Sequence, residues 1–122
     1  MLRERIVEKS LVGANCSQVI LLAAAEEYGF ALPQEVLDAC KGISGGFGIQ
    51  GMCSGIVAAV MVLGLLFTEE EVKEKRILFL VRIQERLGAL DCGRLSAKRV
   101  ECVELLEEIA EVLEEIAEAG IG

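Results

Sequence analysis

The stretch MCSGIVAAVMVLGLLF, residues 52–67, decides the fold of this 122-residue chain. It lies inside a longer segment, residues 42–68, that carries no charged side chain. A helix that spans a membrane needs about 20 apolar residues in a row. Glycines interrupt the start of this segment, so only about four turns of apolar helix remain, which is short for a bilayer. The stretch is therefore predicted to be the central and most buried helix of a bundle, with a membrane-spanning helix as the alternative.

Apolar residues recur at spacings of three and four along the rest of the chain, and the alternation typical of β-strands does not occur. This pattern predicts an all-α fold, a compact bundle of five to six helices around the central helix. With 53% hydrophobic residues and one proline, the chain can bury a core and is not disordered. We expect one helical domain over residues 1–122.

Capping signals predict where the first helices begin and end. Residues 3–12 form the first predicted helix, which Gly13 closes. Asn15 is a favourable cap for a second helix over residues 16–28, and Gly29 is a favourable stop.

The next two predicted helices also follow from capping signals. Pro33 favours the first turn of a short helix that ends near Cys40. Thr68 and Glu71 have the form of a capping box, which begins a further helix that ends near Gly88.

The last helix is predicted to follow a loop over residues 89–95, with Ser96 as its cap. An apolar stripe runs along it at helical spacing. The stripe consists of Val103, Leu106, Ile109, Leu113 and Ile116. Two interpretations stay open, since such a stripe either packs in the core or joins two subunits of a homodimer.

The net charge of −8 comes from one part of the chain. Twelve basic residues stand against twenty acidic ones, which argues against nucleic acid or an anionic membrane surface as a partner and favours basic partners. Eight glutamates after residue 100, with no Lys or Arg among them, account for the whole excess. We expect these glutamates to form one solvated helix face. The N-terminal residues do not read as a secretory signal, so a cytoplasmic protein is expected.

Cysteine is the main reactive residue, because the chain has five cysteines and no histidine. The absence of histidine excludes imidazole bases, histidine metal ligands and the haem-attachment motif. No two cysteines form a Cys-x-x-Cys pair. Cys16 and Cys53 fall at predicted helix N-termini, where the helix dipole lowers a thiol pKa from about 8.5. We therefore expect Cys53 to be alkylated faster than Cys102, which is predicted to lie inside its helix.

A glycine-rich loop precedes Cys53. Its sequence GFGIQG, residues 46–51, matches the G-x-G-x-x-G pattern of dinucleotide-binding folds, but no strand precedes it. The glycines instead allow the backbone to approach Cys53 closely. We expect the backbone near Gly48 and Gly51 to line a concave nest that suits a thiolate or a cluster sulfide.

Four segments of the chain resemble, in order, the elements of the C_GCAxxG_C_C family of redox-active proteins. In the second of them, Ser54, Gly55 and Ala58 stand where the family has Gly, Ala and Gly. Cys40 matches none of the four elements. The segments are 15–18 (NCSQ), 53–64 (CSGIVAAVMVLG), 87–95 (LGALDCGRL) and 102–105 (CVEL).

The resemblance implies redox or metal chemistry at four gathered cysteines, Cys16, Cys53, Cys92 and Cys102, with Cys40 apart from them. A first hypothesis is an electron-transfer site that holds an iron–sulfur cluster, or zinc, because four thiolates suit soft metals. A second is a metal-free thiol/disulfide oxidoreductase or sensor that works with a redox partner protein. A third is a helical interaction module without chemistry. No haem is expected.

Overall fold

The computed structural model describes residues 1–11, 14–97 and 102–121, apart from the side chains of residues 120 and 121. Within these ranges the fold is all-α, as predicted, and its only β-type pairing is an isolated bridge. The described residues form seven α-helices, where five to six were predicted. They are α1 Leu2–Ser10, α2 Cys16–Tyr28, α3 Gln34–Ala39, α4 Ser54–Leu66, α5 Glu69–Leu87, α6 Cys92–Ala97 and α7 Cys102–Ile121.

Helix α4 lies at the centre and packs against α2, α5 and α7. Its inner face is fully buried, because small residues alternate with aliphatic ones and let the neighbouring helices approach closely. This face is formed by Ile56, Ala58, Ala59, Val62 and Leu63. Its outer face is uncovered, with Met61 41% and Leu65 58% exposed. No helix of the described ranges is long and apolar enough to cross a membrane.

The predicted cap at Asn15 and the predicted capping box at Thr68 are both confirmed, and Asn15 also takes part in a capping box. The Asn15 side chain accepts a hydrogen bond from the Gln18 N–H at 3.1 Å, and the Gln18 side chain accepts one from the Asn15 N–H at 3.0 Å. Thr68 and Glu71 make the same reciprocal pair at the start of α5. The predicted glycine stops are confirmed as well, since α2 ends before Gly29 and α5 ends before Gly88.

Three predicted boundaries differ from the structure or fall outside its described residues. Pro33 precedes α3 as its N-cap and is not its first helical residue. Ser96 does not cap the last helix, because it lies inside α6, where its hydroxyl donates to the Cys92 carbonyl at 2.6 Å. The predicted end of the first helix at Val12 and Gly13 lies outside the described residues; α1 itself ends at Ser10.

Helix α7 packs its apolar stripe into the core. Leu106, Ile109, Leu113 and Ile116 are each at most 3% exposed, so these side chains are not free to join a second subunit. Core packing is therefore the correct interpretation of the stripe for these four residues.

The acidic side of α7 is only partly a solvated face, which corrects the prediction. Arg3 of α1 forms ion pairs with Glu107 and Glu111, and Arg86 of α5 also reaches Glu111. The backbone N–H of Leu2 donates to Glu114 at 3.0 Å. One exposed ion pair stabilises a protein by about 0.2–1 kcal/mol. Here several of them join α1 and α5 to α7.

Gly55 is the point of closest approach between α4 and α7. A Cβ atom at this position would lie 2.8 Å from Cδ2 of Leu106 and 3.4 Å from Cδ1 of Ile109. We expect Gly55→Ala to lower the free energy of unfolding by about 1–3 kcal/mol, because it overpacks this contact. The matched control is Gly64→Ala in the same helix, where a Cβ meets nothing within 4 Å. The control should be neutral or stabilising in urea unfolding; equal effects of the two variants would contradict the close approach.

The capping box of α5 makes a second stability prediction. Hydrogen bonds from the backbone N–H and hydroxyl of Thr68 hold the pKa of Glu71 below its ordinary value. This contribution to stability is present above the unfolded-state pKa of Glu71 and is lost as the pH falls through the lower folded-state pKa. Thr68→Ala should cost about 1 kcal/mol at neutral pH. In urea unfolding at several pH values, Glu71→Gln should weaken this acid-dependent loss, and an unchanged pH profile would count against the pairing.

Candidate functional site

Four cysteines stand at the starts of four helices. Cys16 is the first residue of α2, and Cys53 is the N-cap of α4. Cys92 is the first residue of α6, and Cys102 is the first described residue of α7. Because α2, α4 and α7 pack against one another, the helix starts bring these cysteines to a common region.

A short backbone bridge joins the segments that carry Cys53 and Cys92. The N–H of Cys53 donates to the Leu90 carbonyl at 2.9 Å, and the N–H of Cys92 donates to the Gly51 carbonyl at 2.7 Å. Met52 and Asp91 pair between these two bonds in an antiparallel bridge. The two cysteines are thus held near each other by main-chain hydrogen bonds, although they are 39 positions apart in sequence.

Helix α6 orients Cys92, and its local signals were missed in the sequence. The Asp91 side chain accepts a hydrogen bond from the Arg94 N–H at 2.8 Å, as an N-cap does. The Ser96 hydroxyl lies 3.6 Å from the Cys92 sulfur. An Asp three residues before Arg94 was visible as a cap, but a six-residue helix gives too little apolar periodicity to be recognised.

The glycine-rich loop forms a wide turn over Gly46–Gln50, with positive φ at every residue except Ile49. At Gly46, with φ +62°, a Cβ atom would lie 2.5 Å from the backbone N and O atoms of Gly51, so only glycine fits there. The Gly51 N–H donates to the Gly46 carbonyl at 2.9 Å. The predicted role of Gly48 and Gly51 as nest donors stays a prediction. The backbone hydrogen bonds that lower the pKa of Cys53 come from Gly55 and Ile56.

The Cys16 thiol is influenced by the other three. The pKa of Cys16 is raised to about 12, mainly by burial and then by the charges of Cys102 and Cys53. A side-chain interaction with Cys102 also raises this pKa, and the charge of Cys92 adds a smaller repulsion. The expected lowering of the Cys16 pKa by the helix N-terminus is therefore wrong, because dehydration and neighbouring thiols disfavour the thiolate.

Opposed effects act on the pKa of Cys53. Burial raises the pKa of the Cys53 thiol, while hydrogen bonds from the Ile56 and Gly55 N–H groups lower it by less. The helix N-terminus thus acts on this sulfur as expected, but the predicted net lowering is wrong. Cys53 is only 3% exposed, so the loss of hydration outweighs the field of the first turn.

The contacts of Cys40 are with other residues than these four cysteines. It follows α3, is 2% exposed, and its thiol donates to the Val36 carbonyl at 3.4 Å. Its surroundings are an apolar groove between α3 and α4 that includes Ile43 and Met61. This environment is typical of a structural, buried cysteine.

The donor set suits a soft metal by its chemistry, since thiolates without histidine are typical ligands of zinc and of iron–sulfur clusters. Its arrangement does not fit one here. No group of three or more Cys, Asp or Glu side chains among the described residues is placed to hold a metal ion. Chemistry at the sulfur atoms themselves is therefore the better match to this geometry.

The fold and the site together define a small helical protein with four interacting thiols at helix starts. The chain belongs to the C_GCAxxG_C_C family, described as "Putative redox-active protein (C_GCAxxG_C_C)", whose sequence model matches residues 14–116. The resemblance drawn from the sequence is thereby confirmed. A search of the curated proteins finds no match, and a search of the solved structures finds none either.

The burial of the cysteines reverses the order of reactivity expected from the sequence. Cys102 is exposed, whereas Cys53 is buried with a raised pKa and Cys16 has a pKa of about 12. In reduced, metal-free protein at neutral pH we expect iodoacetamide to modify Cys102 before Cys53, because the thiolate is the nucleophile. Peptide mass spectrometry over time measures this, with guanidinium-unfolded protein as the control. Modification of Cys53 ahead of Cys102 would contradict it.

Proposed function

We propose that this protein is a thiol-based redox protein that cycles between thiols and a disulfide at the site of Cys16, Cys53, Cys92 and Cys102. The observation that carries the proposal is the backbone bridge that holds the Cys53 and Cys92 segments side by side. The Cys16 thiol lies within electrostatic reach of the other three thiols, which raise its pKa. Membership of a family described as redox-active supports the same chemistry.

The electrostatics of the site favour electron donation over electron acceptance. A strongly oxidising couple owes its potential to a stabilised thiolate in its reduced form. Here burial and the neighbouring thiols destabilise the thiolates of Cys16 and Cys53. At neutral pH these thiols are protonated and neutral, so the site lacks the thiolate stabilisation that makes a couple strongly oxidising. We therefore propose that the protein acts as a reductant, and that it does so in a reducing compartment, the cytoplasm.

An iron–sulfur cluster, or zinc, held by the same four cysteines is the second candidate. The observation in its favour is the donor set itself, four thiols in a chain with no histidine. If bound, a cluster would supply one-electron transfer at this site. A helical interaction module without chemistry remains the third interpretation, which a chemically inert site would support.

Anaerobic purification followed by iron, zinc and sulfide analysis separates these candidates. We expect metal well below one equivalent per chain, and reversible loss of two thiols when the protein is equilibrated in dithiothreitol redox buffers. The midpoint should lie on the reducing side of about −200 mV, nearer to thioredoxin than to DsbA. Cys40→Ser is the matched control and should leave both results unchanged, since Cys40 lies in the separate groove.

Three outcomes would overturn the proposal. Stoichiometric metal or sulfide in brown protein would establish the cluster, and stoichiometric zinc in colourless protein would establish a metal site. Metal-free protein whose thiols show no reversible oxidation would instead favour the interaction module.

A further inference from the structure

We propose that the tip of the glycine-rich loop is a docking surface for a polypeptide substrate, and that it binds apolar residues beside the substrate's disulfide. The loop tip consists of Phe47, Ile49 and Met52, which are all exposed. This inference rests on the proposed function, because it concerns the partner on which the thiols of the site act.

The first argument is that the loop tip adjoins the start of α6. A Cβ atom built on Gly51 would lie 3.8 Å from Cδ2 of Phe47 and 3.8 Å from Cγ1 of Ile49. Both side chains therefore converge beside Gly51. The carbonyl of Gly51 accepts the Cys92 N–H at 2.7 Å, so the apolar surface lies next to a half-buried thiol of the site.

Two further contacts fix the loop to the site. Met52 pairs with Asp91 in the antiparallel bridge. Gln50 packs directly against Gly93, where a Cβ atom would lie 2.9 Å from Oε1 and 3.4 Å from Cβ of Gln50. Gly93 is the residue after Cys92. The loop tip is thus held at a defined place beside the thiols by contacts on both sides.

The second argument is the backbone conformation of the loop. Phe47, with φ +65°, and Gln50, with φ +58°, are both left-handed, which bulky residues rarely adopt. Phe47 is nevertheless 53% exposed and Ile49 is 81% exposed, so burial within this chain does not offset the strain. Strained backbone of this kind is typical of binding sites, where a partner makes use of the conformation.

The third argument is charge, which favours an apolar polypeptide over a small charged thiol. Residues 42–68 carry no charged side chain, so the loop offers no ion to pair with a carboxylate or an amine. Beside it, Arg94 and Asp91 form an ion pair with each other at 3.6 Å. Apolar residues of a substrate would remove Phe47 and Ile49 from water, which is favourable. The net charge of −8 disfavours an anionic membrane at the same surface.

The exchange at the docked disulfide balances in two steps. A protein thiolate attacks the substrate disulfide, so that a mixed disulfide forms and one substrate thiolate leaves. A second protein thiol, having lost its proton to solvent, attacks the mixed disulfide, so that a protein disulfide forms and the other substrate thiolate leaves. Both leaving thiolates take up protons. The protein loses two electrons, and the substrate disulfide gains them to become two thiols.

Two synthetic peptide disulfides of equal length and no net charge serve as probes. One has leucine and valine beside its cysteines, and the other has serine at the same positions. Chromatography measures the rate at which the reduced protein releases peptide thiols. We expect the unmodified chain to reduce the apolar peptide about tenfold faster, because its flanking side chains become buried on the loop tip.

Substitutions in the loop tip should remove this preference. Phe47→Asn keeps the loop conformation, because Asn tolerates left-handed backbone better than Phe does. Phe47→Asn and Ile49→Ser should each lower the rate with the apolar peptide about threefold and leave the rate with the serine peptide unchanged. The matched control is Leu65→Asn, since Leu65 is as exposed as Phe47 but lies at the far end of α4 from Cys53. This control should keep the full preference.

The outcomes distinguish this inference from the proposed function. Equal rates with the two peptides in the unmodified chain, or an undiminished preference in Phe47→Asn, would overturn the docking surface alone. A loss of dimer formation, or of binding to phosphatidylcholine vesicles, in Phe47→Asn with its peptide preference intact would assign the loop tip to a second copy or to a membrane instead. Absence of reversible thiol oxidation in the unmodified chain would overturn both proposals. The comparison of the two peptides needs no substitution, so the test holds even where a variant fails to fold.

Discussion

The structure depends on the close contact between α4 and α7 at Gly55. Without a side chain there, the first turn of α4 reaches Leu106 and Ile109, and the N-terminal ends of two helices meet at one end of the bundle. Cys53 precedes this contact on α4, and Cys102 precedes it on α7. The contact thus positions two of the four sulfurs by core packing, while the Met52–Asp91 bridge brings Cys92 beside them. Apolar packing and main-chain hydrogen bonds, not local motifs, assemble the site.

Two opposed effects act on each thiol at a helix start. The first turn of a helix stabilises an anion by about 0.3–1 kcal/mol when exposed and by up to about 2 kcal/mol in partly buried positions. Dehydration and repulsion between neighbouring thiolates act in the other direction, and at Cys16 and Cys53 they prevail. The sulfurs of Cys16 and Cys53 therefore stay protonated at neutral pH. Cys102 is exposed, whereas Cys16 and Cys92 are half-buried.

Much of the fold was predictable because its signals are local. The capping boxes at Asn15 and Thr68 and the apolar stretch of α4 involve residues within one or two turns. Helix α6 was not predicted, since six residues give too little apolar periodicity and its start adjoins a bridge to Met52, far away in sequence. The ion pairs of the acidic helix likewise need Arg3 and Arg86 from other helices. The four site cysteines were found through the family pattern, but their acidity depends on burial, which only the packed structure reveals.

The attachment of α1 to α7 has a consequence for synthesis. Leu2 and Ile6 are buried, and the partners of Leu2 and Arg3 on α7 lie more than one hundred residues later. Translation at about 5–20 residues per second leaves a delay of several seconds before those partners emerge from the ribosome. During that interval α1 has α2 to pack against but not α7. The bundle therefore closes only after its last helix is released, and the nascent chain carries an incomplete core until then.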